Sequence, residues 1–146
     1  MNPSARRKGR VAALQVLYEL DSTGHAWRGT LERALEDASL PQEAKVFASG
    51  LVEGIVERLP FLDEKIQSHA PTWPVGQLSA VDRNILRIAI YEILLNNKAP
   101  PKAAVNEAVE LAKSFGSESL HRFVNGVLGS VLDTVEPPKL DESSGG

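Results

Sequence analysis

The chain has 146 residues and a formal net charge of −3, and 42% of its residues are hydrophobic. This composition predicts one domain with an apolar core, and the absence of cysteine excludes disulfides and thiolate metal sites. The polar, basic start lacks the apolar segment of a signal peptide, and no apolar run approaches the roughly 20 residues of a membrane span, so we expect a cytoplasmic protein without a membrane segment.

The first predicted helix, over residues 4–20 with Ser4 as its N-cap, begins with a basic cluster. Four of the 16 basic residues lie between Arg6 and Arg10, and no acidic residue precedes Glu19. The remaining chain holds 12 basic and 19 acidic residues, a net charge of −7. A basic tip on an acidic body favours a polyanion ligand, and a solvated, frayed N-terminus is an equally good reading of the charge alone.

Two arginines of this helix lie in line with its apolar face. Arg7 comes four residues before Val11, which places the two on one side of the helix. Arg10 is related to Leu14 in the same way. We therefore expect the first turn of this helix to extend beyond the packed body of the protein. Its guanidinium groups would then be available to bind phosphate through paired hydrogen bonds.

Helical periodicity continues through the first half of the chain. Further helices are predicted over residues 30–38, 41–59 and 61–69. Ser39 is the expected N-cap of the helix that begins at Pro41, and Pro60 is the expected break before the helix that follows. Val46 is among the residues that the periodicity directs towards the core.

The second half of the chain predicts three more helices. They cover about residues 80–96, 101–115 and 117–135. Ser79 and Asp82 form a capping-box pattern before the first of them, whose apolar residues cover most of its circumference, so we expect a buried central helix. Glu92 falls within the apolar arc and is predicted to be buried and paired. The polar strip of this helix runs through Asn84, Arg87 and Tyr91, with Arg83 at its edge.

These elements predict an all-α fold of six to seven short helices that form two packed three-helix bundles. The bundles correspond to subhalves of about 4–71 and 77–136 within a single domain of residues 1–136. The apolar stripes of the last two helices include Phe115 and Phe123, which position alone assigns to the core. The polar tail over 137–146 is predicted to be disordered.

The sequence contains no recognisable catalytic or metal-binding pattern. Its histidines, His25, His69 and His121, are far apart and lie outside any metal-ligand spacing. Glycine-rich phosphate loops and serine-nucleophile motifs are also missing. We therefore expect a binding protein rather than an enzyme, with neither a metal nor a cofactor.

Four parts of the sequence resemble the NusB family of bacterial transcription antitermination factors. They are ARRKGR and ALQVLY within 5–18, DRNILRIAIYE at 82–92, AVNEAVELAK at 104–113 and FVNGVL at 123–128. These segments follow the order and the spacing of the family. The stretch of about 21–75 matches only in length and helical pattern.

The resemblance implies a NusB-like fold of two three-helix bundles and a role in ribosomal RNA transcription. Family members bind the single-stranded boxA element of nascent ribosomal RNA together with NusE, which is also a small-subunit ribosomal protein. The heterodimer joins RNA polymerase and the other Nus factors and suppresses premature termination. The family also includes homodimers, and the sequence leaves the oligomeric state of this chain open.

The resemblance also implies which residues meet the ligands. The implied RNA-binding residues are Arg6, Arg7, Lys8, Arg10, Gln15, Lys113, Arg122, Phe123 and Asn125. Tyr18 and Asp82 would lie where NusE docks. Each role has a structural alternative: Asp82 also fits a helix cap, Asn125 a backbone hydrogen bond, and Phe123 the core.

Two other functions stay open at this point. RNA cytosine methyltransferases can carry a NusB-like targeting domain, but this sequence shows no Rossmann-like methyltransferase segment. A protein-interaction module that does not bind RNA is the second alternative. Salt-independent behaviour towards RNA would favour it.

Overall fold

The computed structural model describes residues 2–24, 26–72, 75–96 and 99–135. Within these ranges the chain forms seven α-helices and no strand. The helices are α1 (Pro3–Thr23), α2 (Trp27–Ala34), α3 (Gln42–Glu57), α4 (Leu59–His69), α5 (Ala80–Leu94), α6 (Pro101–Phe115) and α7 (Glu118–Asp133). A single 3₁₀ turn, Val75–Gln77, precedes α5. The all-α prediction is confirmed, and the tail predicted over 137–146 lies outside the described residues.

Helix α1 extends beyond both of its predicted ends. It begins at Pro3, because the side chain of Asn2 rather than Ser4 caps it and accepts a hydrogen bond from the Ser4 amide at 2.7 Å. It continues to Thr23 and ends at Gly24, whose φ of 72° lies in the left-handed region that glycine tolerates. The polar residues predicted to end the helix therefore form its last turn.

The helices that follow differ from their predicted bounds by up to four residues, most of all α2, which was predicted over residues 30–38 and spans Trp27–Ala34. Pro41 precedes α3 as its N-cap, and Ser39 instead donates its amide and its hydroxyl to the Asp37 carboxylate at 2.9 and 2.7 Å. Pro60 lies in the first turn of α4, where a backbone N–H would have no partner within the helix, so the missing N–H of proline costs no hydrogen bond. Val46 is exposed, so the expectation that it faces the core was wrong.

Helix α5 is the centre of the fold. It packs against α1, α3, α4, α6 and α7, and nearly every residue from Asp82 to Ile93 is buried. The predicted central helix is thus confirmed. Helix α4 precedes the 3₁₀ turn in the sequence. It nevertheless packs on α5 and α7, the helices that follow this turn.

Asn84 and Arg87 of the polar strip predicted along α5 are also buried. Arg87 donates to both carboxylate oxygens of Asp63 on α4 at 2.8 Å, and its Nη1 donates to Asp21 of α1 at 3.0 Å. The Asn84 amide donates to the same Asp21 at 3.0 Å. Because the ion pairs and hydrogen bonds satisfy these polar groups, they can lie inside the protein, where they join three helices.

Candidate nucleic-acid interface

The basic cluster lies in the first two turns of α1. Arg7 and Lys8 are exposed, and Arg6 is half-buried. Arg7 projects towards α6, where its Nε and Nη2 donate to Glu107 at 3.0 and 2.8 Å. This hydrogen bond and the positive charge of Arg7 hold the pKa of Glu107 below its ordinary value, although burial opposes the shift.

Arg10 has a different environment from the rest of the cluster. Its side chain is only 4% exposed and donates to both oxygens of Glu92 on α5 at 2.7 Å. Its guanidinium also lies 5.2 Å from the centre of the Phe47 ring and 3.6 Å from Glu107. The expectation that Arg10 offers its charge at the rim was therefore wrong, whereas the predicted burial and pairing of Glu92 are confirmed.

A groove, here called the α1 groove, runs beside the exposed cations. It has a volume of about 350 Å³ and is bordered by α1 and by the turn that follows α2. The residues that define it are Arg7, Lys8, Val11, Gln15, Asp37 and Leu40. Gln15 is exposed two turns after Lys8, so its amide can donate to and accept from the same ligand that meets the cations.

Two exposed aromatic residues lie next to Gln15. Tyr18 and Phe115 line a small, mainly apolar depression, here called the aromatic groove, together with Val11, Leu14, Gln15 and Val81. Both rings are about half exposed, at 46% and 49%. The prediction that Phe115 lies in the core was wrong because this residue ends α6, where the apolar stripe passes beyond the body of the protein.

Phe123 is exposed on α7, although its apolar stripe assigned it to the core. It is 53% exposed and lines a third depression of about 460 Å³, here called the α7 groove, with His69, Thr72 and Gly126. Arg122 and Asn125 are exposed on the same helix. The α7 groove shares no lining residue with the α1 groove, so Phe123 borders a different groove from Arg7, Lys8 and Gln15.

The remaining predicted site residues are already engaged inside the protein or along its surface. Lys113 is exposed and pairs with Glu110 at 3.3 Å. Asp82 is buried, and its carboxylate accepts from the amide and the hydroxyl of Ser117 at 2.9 and 2.5 Å, at the start of α7. Ser79 accepts from the Asp82 amide as the capping pattern predicted, but the Asp82 carboxylate serves a different helix.

Glu107 and Phe115 are the members of this surface that sequence reasoning missed. Glu107 lies within the segment that resembles the family, yet its partner Arg7 is 100 residues away, and periodicity cannot reveal such a pairing. Phe115 stands directly before Gly116, and an apolar residue in the last turn of a helix is the signal that could have marked it as exposed.

Among the described residues, no group of three or more histidine, aspartate or glutamate side chains is arranged to hold a metal ion. None of the described helices has both the length and the apolar character needed to cross a membrane.

Comparison with protein families decides the relationship of this chain. The model of the NusB family matches residues 7–133. The chain belongs to the NusB family. The matched region includes α1 to α7 except for the first four residues of α1, so the exposed cations Arg7 and Lys8 and the aromatic groove all lie within it.

Individual NusB proteins agree with this assignment in sequence and in fold. The transcription antitermination protein NusB of Chloroflexus aggregans is 50% identical over 131 residues, which cover 88% of this chain and 87% of the relative. The crystal form of T. maritima NusB superposes with a TM-score of 0.82 at 33% identity, covering 98% of this chain and 99% of the other. A crystal structure of the antitermination factors NusB and NusE in complex with double-stranded RNA gives a TM-score of 0.81 at 26% identity, covering 91% and 99%.

Proposed function

We propose that this chain is an RNA-binding transcription antitermination factor that binds boxA of nascent ribosomal RNA transcripts together with NusE. In this role it promotes processive transcription in the cytoplasm and catalyses no reaction. The observation that carries the proposal is the row of exposed cations, amide and aromatic ring along α1, from Arg7 and Lys8 through Gln15 to Tyr18. A NusB of similar fold is bound to NusE and RNA in a solved structure, which supports both ligands.

The basic residues at the start of α1 are expected to supply affinity, and the amide of Gln15 is expected to supply selectivity. Arg6, Arg7 and Lys8 would meet phosphates, which carry no sequence information, and Gln15 would meet a base edge. With Arg10 committed to Glu92, three phosphate contacts remain on α1. At about 0.7 per contact on single strands, these three are expected to contribute about −2 to the slope of log K against log salt.

Helix α7 would provide the second group of RNA contacts. Single-stranded RNA is usually read by stacking bases on exposed aromatic rings, and Phe123 presents such a ring beside the α7 groove. Asn125 and Arg122 are exposed on the same helix and would bind base edges and phosphate. Lys113 would contribute after leaving Glu110, a surface pair that is worth little.

NusE is proposed to cover the aromatic groove. Tyr18 and Phe115 expose apolar area there, and aromatic residues in partly buried depressions commonly anchor a partner protein. Asp82 would act on this surface indirectly, because its carboxylate fixes Ser117 at the start of α7 and thereby the turn that carries Phe115.

The proposal is tested by titrating labelled boxA RNA and a scrambled RNA of equal length with the full chain, alone and with NusE, over a series of salt concentrations. We expect boxA to be preferred, most strongly with NusE, and Arg7→Ala with Lys8→Ala to weaken binding of both RNAs. Arg28→Ala with Lys102→Ala removes two exposed cations elsewhere and is the charge-matched control. Equal binding of the two RNAs, with and without NusE, would overturn the proposal.

A further inference from the structure

The acidic side of α6 faces the cations of α1. Glu107 accepts both hydrogen bonds of the Arg7 fork, at 3.0 and 2.8 Å, and lies 3.6 Å from Arg10. Arg10 is already neutralised by Glu92 inside the protein. Glu107 is therefore bound through two hydrogen bonds to Arg7, whose side chain is 58% exposed and lines the α1 groove.

We propose that Glu107 competes with RNA phosphate for Arg7 and thereby limits the affinity of the protein for RNA that it does not read by its bases. This inference rests on the proposed function, since it requires that the exposed α1 cations bind RNA. Glu107 lies on α6 and is not one of the predicted RNA contacts. In this proposal it limits the part of the RNA affinity that does not depend on base sequence.

The geometry of the pair explains the competition. A phosphate bound in bidentate fashion either takes the Nε and Nη2 hydrogens that now point at Glu107 and displaces the carboxylate, or binds the Nη1–Nη2 edge and shares the guanidinium with it. If it shares, two negative charges stand about 4 Å apart, and in water that repulsion weakens binding about fivefold. Either route lowers affinity for every RNA equally, because only phosphate is involved.

Because Glu107 weakens only the phosphate contact of Arg7, a larger share of the RNA affinity comes from the contacts that read bases. These contacts, proposed at Gln15 and Phe123, lie in grooves that Glu107 does not line. On α6 itself, Glu110 holds Lys113 in the same way at 3.3 Å, but this pair is more exposed and spans one helical turn. Glu107 has the stronger effect because it binds its arginine through two hydrogen bonds.

The test measures binding of a labelled oligouridine of about 12 nucleotides, a probe without boxA, to the full chain and to Glu107→Gln. The glutamine keeps an oxygen that accepts from Arg7 but removes the negative charge. We expect binding about fivefold tighter at low salt, and a smaller gain at high salt, which screens the carboxylate charge. Glu64→Gln, at an exposed position on α4, changes the net charge equally and serves as the control.

The gain must also depend on Arg7. Arg7→Ala and Arg7→Ala with Glu107→Gln are therefore expected to bind oligouridine equally, apart from the small change that Glu64→Gln also gives. Glu107→Asp shortens the side chain by one methylene and moves the carboxylate away from Arg7, so we expect a smaller gain in RNA affinity. This variant takes the place of Glu107→Gln if Glu107→Gln fails to fold. The inference is overturned if Glu107→Gln binds no tighter than Glu64→Gln, or if the gain persists without Arg7.

The outcomes separate this inference from the proposed function. A wild-type protein that prefers boxA while Glu107→Gln gains nothing leaves the function standing and removes the role of Glu107. A wild-type protein that ignores boxA, alone and with NusE, overturns the function itself. In that case a tighter complex of Glu107→Gln with oligouridine reports only non-specific charge attraction, and the inference falls as well.

Discussion

Arg7 and Arg10 stand one turn apart on α1 and bring the same guanidinium group into two different environments. Arg7 is 58% exposed and shares its hydrogen bonds with a surface carboxylate, so a phosphate can reach it. Arg10 is 4% exposed and fills a position between Glu92 and the Phe47 ring. Burial therefore decides which arginine can bind a ligand and which one holds helices together, although their spacing on the wheel makes them look equivalent.

Replacing Arg10 should affect stability, whereas replacing Arg7 should affect RNA binding. Arg10→Ala leaves Glu92 buried without its partner, and such a loss costs about 3–5 kcal/mol. Arg7→Ala removes an exposed group and is expected to leave the free energy of unfolding nearly unchanged while weakening RNA binding. Urea denaturation followed by circular dichroism, with an RNA titration of each folded variant, measures both effects.

The double variant Arg10→Met with Glu92→Leu distinguishes a structural Arg10 from one that binds RNA. Apolar residues of similar volume often restore the stability that is lost when a buried ion pair is broken. We expect this variant to fold and to retain the RNA affinity of the wild type. A folded double variant whose RNA affinity drops tenfold or more would contradict the structural role.

At the scale of the elements, the burial of α5 requires close approach by its neighbours. Gly54 on α3 lies directly against the Tyr91 ring of α5, so that a Cβ at this position would overlap the phenol. Gly50, about one turn earlier on the same helix, faces open space. Gly54 therefore allows α3 and α5 to pack closely, whereas a Cβ at Gly50 would contact no neighbouring helix.

Alanine substitution at the two glycines should have opposite effects. Gly54→Ala forces Tyr91 away from α3 and is expected to destabilise the protein by about 1–3 kcal/mol. Gly50→Ala meets no atom and is expected to stabilise it by about 0.5–1 kcal/mol, because alanine favours the helix. The urea midpoints of the two variants, compared at equal m-values, measure the difference. Equal midpoints would show that Tyr91 moves aside without cost.

At the scale of the whole molecule, periodicity predicts which face of a helix is buried but not what that face meets. It was sufficient for the all-α fold, the central α5 and the burial of Glu92. It could not supply the pairs Arg7–Glu107, Arg10–Glu92 or Arg87–Asp63, whose members are 100, 82 and 24 residues apart. Ion pairs between helices depend on the way the helices are placed, and a single sequence does not contain that placement in readable form.

The candidate site shows the same division between what periodicity gives and what it does not. The exposed cations and Gln15 follow from the basic cluster and from the family resemblance. Phe115 and Phe123 do not, because an apolar stripe can be wider or longer than the surface available to cover it. Burial of Arg10 was missed for the converse reason: a charged residue reads as exposed until its buried partner is known.

The Arg7–Glu107 pair connects α1 to α6 and should appear in the pH dependence of stability. Because Arg7 holds the pKa of Glu107 below the ordinary value of 4.5, the carboxylate contributes stability above that pH and loses it as the pH falls through its own lower pKa. Wild type should therefore be slightly more stable than Glu107→Gln near neutral pH, and the difference should vanish on acidification. Urea denaturation of both proteins at closely spaced pH values below about 5 measures it. A stability difference that stays constant through this range would mean that the charge of Glu107 does not stabilise the fold. If the difference vanishes and Glu107→Gln also binds RNA more tightly, the carboxylate of Glu107 stabilises the protein and at the same time lowers its affinity for phosphate.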